Sequence, residues 1–180
     1  MSSIETIDKL IERLNECEEG KHAEVVKAMN IPAQEFERFA TWSQECYTRN
    51  CIERTDAYEV ILLCWEPGNV TAIHSHGGER CWVYQIDGSL NEIRFDQDEQ
   101  GELVETHQMT LEPGKLTYME DSMGYHQILN ESGSRAMTLH IYASPIDVCK
   151  AYDEEDGVFK EVYPKYTTIK GKVNEDKKAG

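Results

Sequence analysis

The chain has 180 residues, 39% of them hydrophobic, and its 34 acidic and 18 basic residues give a formal net charge of −16. This length and composition are typical of one folded, soluble domain, and they exclude a disordered or membrane-spanning chain. The acidic excess repels phosphate backbones and anionic lipid surfaces, so we expect neither nucleic acid nor a membrane as a partner.

The first residues, MSSIETIDKL, carry charges where a signal peptide needs an apolar run. No apolar run in the chain approaches the ~20 residues of a transmembrane helix. We therefore expect a cytoplasmic protein. Its six cysteines include no C-x-x-C pair, and we interpret them as reduced thiols: Cys17, Cys46, Cys51, Cys64, Cys81 and Cys149.

The first fifty residues have the periodicity of helices. Apolar residues recur there at steps of three and four: Ile4, Ile7, Leu10, Ile11 and Leu14. With Ser2 and Glu5 as a capping box, the pattern predicts a first helix over about 3–17. A second helix is predicted after Gly20, and a third is predicted to begin at Pro32.

From about residue 57 the pattern changes to short runs rich in β-branched and aromatic residues: YEVILLCW, CWVYQI, LNEIRF, KLTYM and RAMTLHIY. Asp87-Gly88 predicts a type I′ hairpin turn between the second and third runs, and Pro113-Gly114 predicts another tight turn. Many short strands without helices between them predict an antiparallel barrel or jelly roll. We expect one domain over 1–168, with a helical segment of about 1–50, and a flexible polar tail over 169–180.

Three histidines are candidates for a metal site. His74 and His76 stand one residue apart, and side chains at i and i+2 of a strand point to the same face. His126 lies about fifty residues further on, on a later predicted strand. Three histidines from two strands suit a divalent ion at the mouth of a barrel. The alternative is that they are ordinary polar residues of the barrel.

The spacing of these histidines is specific. Gly68, His74, His76, Cys81 and Gly88 reproduce the first cupin motif. Cys81 stands in that motif where most cupins have a glutamate ligand, and His126 followed by Asn130 resembles the end of the second motif. The resemblance implies a mainly β fold, a cupin jelly-roll β-barrel preceded by two or three helices.

Replacing the glutamate with Cys81 changes the charge of the site. Three neutral imidazoles leave the full 2+ charge on a divalent ion, whereas two histidines and a carboxylate would remove one unit. Such a site favours an anionic substrate ligand. A thiolate is the obvious ligand, because a metal deprotonates the thiol that it binds.

Among cupins the chain resembles the cysteine dioxygenase family, from CYTRN (46–50) to IYASPIDVCKAYD (141–153). The resemblance implies Fe(II) held by His74, His76 and His126. It also implies that Arg49, in an unaltered YTRN, binds the substrate carboxylate. A planar guanidinium suits this role, and Tyr47 is placed to brace it.

The resemblance extends to TLHIY, where Thr138, His140 and Tyr142 match the family's Ser-x-His-x-Tyr triad. In a strand these polar residues share one face, so they could form a hydrogen-bonded line that shuttles protons. A satisfied core pair is the alternative for His140 and Tyr142. The resemblance further implies a thioether bond between Cys81 and Tyr142. The alternatives for Cys81 are a small buried side chain or a fourth metal ligand.

These inferences predict a monomeric enzyme that oxidises L-cysteine with O2 to cysteine sulfinic acid at a mononuclear ferrous centre. A dioxygenase of 3-mercaptopropionate is the nearest rival. Such relatives tend to carry glutamine in place of Arg49 and to lack the cysteine of the thioether pair. A non-catalytic cupin that senses a ligand or metal, and a zinc or manganese isomerase, remain as alternatives of other classes.

Overall fold

The computed structural model describes residues 2–18 and 20–175. Its helices are α1 (Ile7–Asn15), α2 (His22–Lys27) and two 3₁₀ helices, Ala33–Phe39 and Asp121–Met123. The strands of the described residues are β1 (Thr48–Arg54), β2 (Glu59–Trp65), β3 (Cys81–Asp87), β4 (Leu90–Gln97), β5 (Leu103–Leu111), β6 (Leu116–Met119), β7 (Tyr125–Leu129), β8 (Ala136–Tyr142), β9 (Cys149–Asp153), β10 (Val158–Val162), β11 (Thr168–Ile169) and β12 (Lys172–Val173). The described helices are too short or too polar to cross a membrane.

The first helix is shorter than predicted. The Thr6 hydroxyl, and not that of Ser2, caps it by accepting a hydrogen bond from the backbone N–H of Lys9 at 3.2 Å. Ile4 lies before the cap in an extended bridge to Met29, so the predicted start at residue 3 is wrong. The second and third helices occur where predicted. The third is a 3₁₀ helix that follows Pro32.

The strands form a seven-stranded sheet in the order β12-β11-β1-β2-β8-β3-β6, a three-stranded sheet in the order β5-β4-β7, and the hairpin of β9 and β10. The helices cover the outer face of the large sheet, where Met137, Leu139 and Ile141 of β8 belong to their core. A second core fills the space between the two larger sheets, with Val83 from one and Ile128 from the other. The predicted β-rich jelly roll with N-terminal helices is confirmed.

The predicted hairpin at Asp87-Gly88 is wrong. β3 pairs with β6 and β8, whereas β4 pairs with β5 and β7, so the chain crosses here from one sheet to the other. Only Gly88 of the two has a positive φ, 69°. A Cβ on Gly88 would lie 2.4 Å from the carbonyl oxygen of Arg135, so this glycine permits a close approach of two chain segments.

The turn at Pro113-Gly114 is confirmed. It joins β5 to β6, and the Lys115 N–H donates to the Glu112 carbonyl at 2.9 Å. Gly114 takes φ 86°, as the third position of a type II turn requires.

The C-terminal stretch is more ordered than its composition indicates. β11 runs parallel to β1, with Thr168 opposite Asn50, and β12 pairs back onto β11. The predicted start of a flexible tail at residue 169 is therefore wrong, because Ile169 to Val173 lie in a paired hairpin. The last part of the predicted tail, 176–180, lies outside the described residues.

Candidate active site

The three predicted histidines come together. One ligand atom from each of His74, His76 and His126 lies within 4.8 Å of the other two. His126 is on β7, as expected. His74 and His76 lie in the connection between β2 and β3, so the prediction that they share a regular strand is wrong.

The segment around His74 is nevertheless extended, because it is bonded on both sides. The N–H of His74 donates to the His126 carbonyl at 3.0 Å, and the N–H of His126 donates back at 3.1 Å. On the other side, the Ser75 N–H donates to the Lys150 carbonyl at 2.9 Å. The segment thus lies between β7 and β9, and this pairing turns the two histidines of the H-x-H motif toward His126.

The ring nitrogens of the histidines show which atoms are available to a metal. Nδ1 of His74 donates to the Ala72 carbonyl at 2.9 Å, and Nδ1 of His126 donates to the Glu92 carboxylate at 3.0 Å. Nε2 of His126 and both ring nitrogens of His76 are buried and have no hydrogen-bond partner within residues 2–18 and 20–175. Buried polar atoms without partners are costly, so this arrangement fits three ligands to one ion.

Burial also keeps the three imidazoles uncharged. It lowers the pKa of His74, and it lowers the pKa values of His76 and His126 well below the ordinary value, with the neighbouring histidines adding to the effect. A neutral imidazole is the form that binds a metal. The donor set therefore fits a divalent ion at neutral pH.

Glu92 was missed in the sequence. It is fully buried on β4, and Arg94 of the same strand donates from Nε to the carboxylate oxygen that also binds His126, at 3.2 Å. A carboxylate that orients a ligating histidine is a usual feature of metal sites. The signal was its position two residues after Leu90, on the buried face of the strand.

A cavity of about 300 Å³ opens beside the histidines. Its wall includes Tyr47, Arg49, His74, His76, Tyr142 and Cys149. Nε of Arg49 is buried and has no hydrogen-bond partner in the described part of the chain, which leaves this guanidinium nitrogen for a bound anion. The Tyr47 ring is held in the wall by stacking on Trp65, with 4.9 Å between ring centroids.

The C-terminal segment closes one side of this cavity. Pro164 and Lys165 line it, and Thr167 forms two hydrogen bonds with the backbone of Arg49. The Thr167 N–H donates to the Arg49 carbonyl at 2.7 Å, and the Arg49 N–H donates to the Thr167 hydroxyl at 3.1 Å. The pairing of β11 with β1 and these hydrogen bonds thus hold the backbone of Arg49 in place.

Cys81 and Tyr142 lie directly opposite one another on β3 and β8, and both are buried. Burial raises the pKa of the Cys81 thiol and raises the pKa of the Tyr142 phenol well above its ordinary value, so both groups are protonated. The phenol interacts with the thiol and with the Arg49 guanidinium. In the structure all six cysteines are free thiols.

The other two members of the predicted triad are joined. The Thr138 hydroxyl lies 3.0 Å from Nε2 of His140, and it accepts a hydrogen bond from the Trp65 indole at 2.9 Å. The ring centroids of His140 and Tyr142 are 6.3 Å apart, and the phenol faces Arg49 and Cys81 instead. Thr138 and His140 therefore contact each other, whereas Tyr142 contacts Arg49 and Cys81 and does not continue their line. The sequence did not indicate the hydrogen bond from Trp65 to Thr138.

Two packed sheets that carry three clustered, neutral histidines beside a small cavity define a cupin with a candidate metal site. The chain belongs to the cysteine dioxygenase family, because the family model described as cysteine dioxygenase type I matches residues 1–155. The resemblance inferred from the motifs is therefore confirmed.

Individual relatives agree with this assignment. The chain is 31% identical to cysteine dioxygenase type 1 of Rattus norvegicus over 137 residues, 74% of this chain and 68% of the rat protein. It is 28% identical to the Danio rerio enzyme over 164 residues, 85% and 82% of the two chains. The crystal structure of TT1209 from Thermus thermophilus shares the fold, with a TM-score of 0.50 and 21% identity over 61% of this chain and 93% of that one.

Proposed function

We propose that this protein oxidises L-cysteine with O2 to cysteine sulfinic acid at a mononuclear Fe(II) centre. The proposal depends on three clustered, uncharged histidines, two of them buried, and on an arginine beside them whose Nε has no partner among the described residues. Membership in the cysteine dioxygenase family supports the same reaction.

His74, His76 and His126 would hold the ion. When bound, Fe(II) would coordinate the substrate thiolate and amine and supply the redox chemistry that transfers both atoms of O2 to sulfur. Because these three residues are neutral, they would leave the charge of a bound divalent ion to be offset by an anionic substrate. The protein's own contribution is to keep the imidazoles unprotonated and fixed in orientation.

Arg49 would bind the carboxylate of the substrate. A guanidinium pairs with a carboxylate through two parallel hydrogen bonds, and it stays charged in a buried site. Tyr47 lines the same cavity, so its hydroxyl is available to the carboxylate as well. The hydrogen bonds of Thr167 to the Arg49 backbone would keep this arginine at a constant distance from the histidines.

Tyr142 and His140 would handle protons near the reacting atoms. The phenol is protonated and contacts the Arg49 guanidinium and the Cys81 thiol, whereas burial lowers the pKa of His140 well below its ordinary value and keeps the imidazole neutral. The indole N–H of Trp65 uses a lone pair of the Thr138 oxygen, which leaves the hydroxyl proton for Nε2 of His140. Thr138 would thereby set the tautomer of that histidine.

We also propose that Cys81 and Tyr142 become joined by a thioether. The new bond links Sγ to a ring carbon next to the phenol oxygen, with loss of the thiol hydrogen and one ring hydrogen to O2 as the oxidant. The direct cross-strand pairing of the two residues supports the proposal, since opposite side chains have Cβ atoms about 5 Å apart. The bond would stop the phenol from rotating. Intact mass should show a loss of two hydrogens that disappears in Cys81→Ser and in Tyr142→Phe.

Oxygen consumption tests the proposed reaction. Iron-loaded protein should consume one O2 per L-cysteine and form the sulfinic acid, and His126→Ala should abolish uptake. His107→Ala is the matched control, because His107 is exposed on β5 and does not belong to the histidine cluster. Absence of cysteine-dependent uptake by the unaltered protein would refute the proposal. A higher kcat/KM for 3-mercaptopropionate would reassign the substrate.

We further propose that the enzyme is a cytoplasmic monomer that binds neither nucleic acid nor membrane. The formal charge of −16 supports the second part, since it opposes association with phosphate-bearing polymers and anionic lipid. Sedimentation equilibrium at micromolar concentration should return the mass of one 20.7 kDa chain.

A further inference from the structure

The second histidine of the H-x-H pair opens a tight turn. Gly77 and Gly78 have φ values of 63° and 89°, and the Glu79 N–H donates to the His76 carbonyl at 3.1 Å. Positive φ at both central positions makes this a type I′ turn. A Cβ at Gly77 would lie 2.3 Å from the Val148 carbonyl oxygen, so only glycine fits against that strand connection.

The carboxylate of Asp121 binds this turn with both oxygens. Oδ1 accepts from the His76 N–H and Oδ2 from the Gly78 N–H, each at 2.7 Å. Successive backbone N–H groups that point to one side form a concave site for an anion, and here the anion is a side chain of the same protein. Charge-assisted bonds of this length are the stronger kind of hydrogen bond.

The three histidines differ in how their orientation is fixed. His74 and His126 each donate from Nδ1 to a protein oxygen. Neither ring nitrogen of His76 has a partner in the part of the chain that the structure describes. The direction of the His76 imidazole is therefore set by its backbone and by packing against neighbouring rings, and the backbone at this point is held by Asp121.

Asp121 also connects His76 to the other half of the ligand set. It begins the 3₁₀ helix that joins β6 to β7, five residues before His126. We propose that Asp121 is a positioning residue for the metal centre, which fixes the backbone of one ligand to the segment that carries another. The inference rests on the proposed function only in taking the three histidines as metal ligands.

A matched surface aspartate separates this role from ordinary turn stability. Asp98, in the connection between β4 and β5, also accepts two backbone N–H groups, from Gln100 and Glu102 at 2.9 Å each. Both aspartates are exposed, but Asp98 lies on a hairpin that contributes no residue to the histidine cluster. Removing either carboxylate should loosen a turn, and only Asp121 should affect metal binding.

Titration of metal-free protein with Co(II), followed by visible absorption, tests the inference without turnover. Asp121→Ala should weaken Co(II) binding by about 10–100-fold, and Asp98→Ala should leave it within about twofold. Asp121→Asn should fall between, since its amide oxygen still accepts one N–H group. The asparagine variant carries the test if the alanine variant does not fold, with an expected loss of about tenfold.

Two results would overturn the inference: Asp121 variants that bind Co(II) as tightly as the unaltered protein, or an equal loss in Asp98→Ala. Failure of the metal centre itself has a different signature. In that case the unaltered protein and His126→Ala would show the same Co(II) titration, and both proposals would fall together.

Discussion

Nδ1 of His126 lies 3.0 Å from Oε1 of Glu92, and both side chains are fully buried. A carboxylate oxygen only accepts, so the proton of this imidazole is on Nδ1 and the lone pair is on Nε2. The Nε2 lone pair is the one that faces the other two histidines. A buried acidic residue thus selects the tautomer that a metal ligand requires.

Replacing Glu92 should therefore weaken metal binding. Glu92→Gln keeps the shape of the side chain but removes the charge that faces His126 and Arg94, and we expect Fe(II) affinity to fall about 10–100-fold, measured by chelator competition. Glu66→Gln is the control, because Glu66, just after the end of β2, pairs with Arg135 at 2.6 Å and not with a histidine of the cluster. Equal affinities for the two variants would contradict the role assigned to Glu92.

Arg49→Gln should discriminate between substrates with and without a carboxylate. We expect the KM for L-cysteine to rise about 10–100-fold, as expected for the loss of a charge-assisted pair, while cysteamine oxidation changes little. Arg38→Gln, which removes an exposed arginine paired with Asp8, should change neither. An equal rise in the KM for cysteamine would show that Arg49 has a structural role and does not bind the carboxylate.

The hydroxyl of Thr138 offers a test of its two hydrogen bonds. Thr138→Val leaves the Trp65 indole and Nε2 of His140 without a partner, which should lower the free energy of unfolding by about 1–3 kcal/mol and also lower kcat. Thr138→Ser keeps the hydroxyl and should retain most of both. Urea unfolding measures the change in stability, and steady-state kinetics measure the change in kcat. A serine variant as impaired as the valine variant would contradict the role assigned to the hydroxyl.

Buried thiols predict a loss of stability at alkaline pH. Burial raises the pKa of Cys64 from 9.0 to about 11, so the unfolded chain releases this proton first. The free energy of unfolding should accordingly decrease as pH rises above 9 and level off near 11, by about 2–3 kcal/mol for this thiol. Cys64→Ala should lack that share of the decrease, whereas the exposed Cys46→Ala should keep it. Identical pH slopes in urea unfolding would refute the assignment.

Local patterns in the sequence were sufficient for much of the fold. The five strand runs and the second and third helices follow from periodicity, and the three histidines from motif spacing. Failures arose where a distant segment decides the outcome. The Asp87-Gly88 dipeptide has hairpin chemistry, but the topology places the flanking strands in different sheets, and the glycine serves a close approach to Arg135.

The same reason explains what was missing from the site. Glu92 is separated from His126 by 34 residues and meets it only because β4 pairs with β7. The extended form of the H-x-H segment depends on β7 and β9 and not on its own residues. Asn50 of YTRN is another case. Its buried side-chain amide donates to the Thr48 hydroxyl and the Leu62 carbonyl and accepts a hydrogen bond from the Thr168 hydroxyl. No local pattern indicates these contacts.

The hydrogen bonds between Thr167 and Arg49 have a consequence for the order in which the cavity forms during translation. Pro164 and Lys165 line the cavity, and β11 must add to β1 before the arginine is fixed from behind. A nascent chain that ends at β10 lacks Thr167 and β11, so the backbone of Arg49 does not yet have these hydrogen bonds. The wall that this segment forms is therefore the last part of the cavity to be synthesised, and a chain released before Pro164 would lack it.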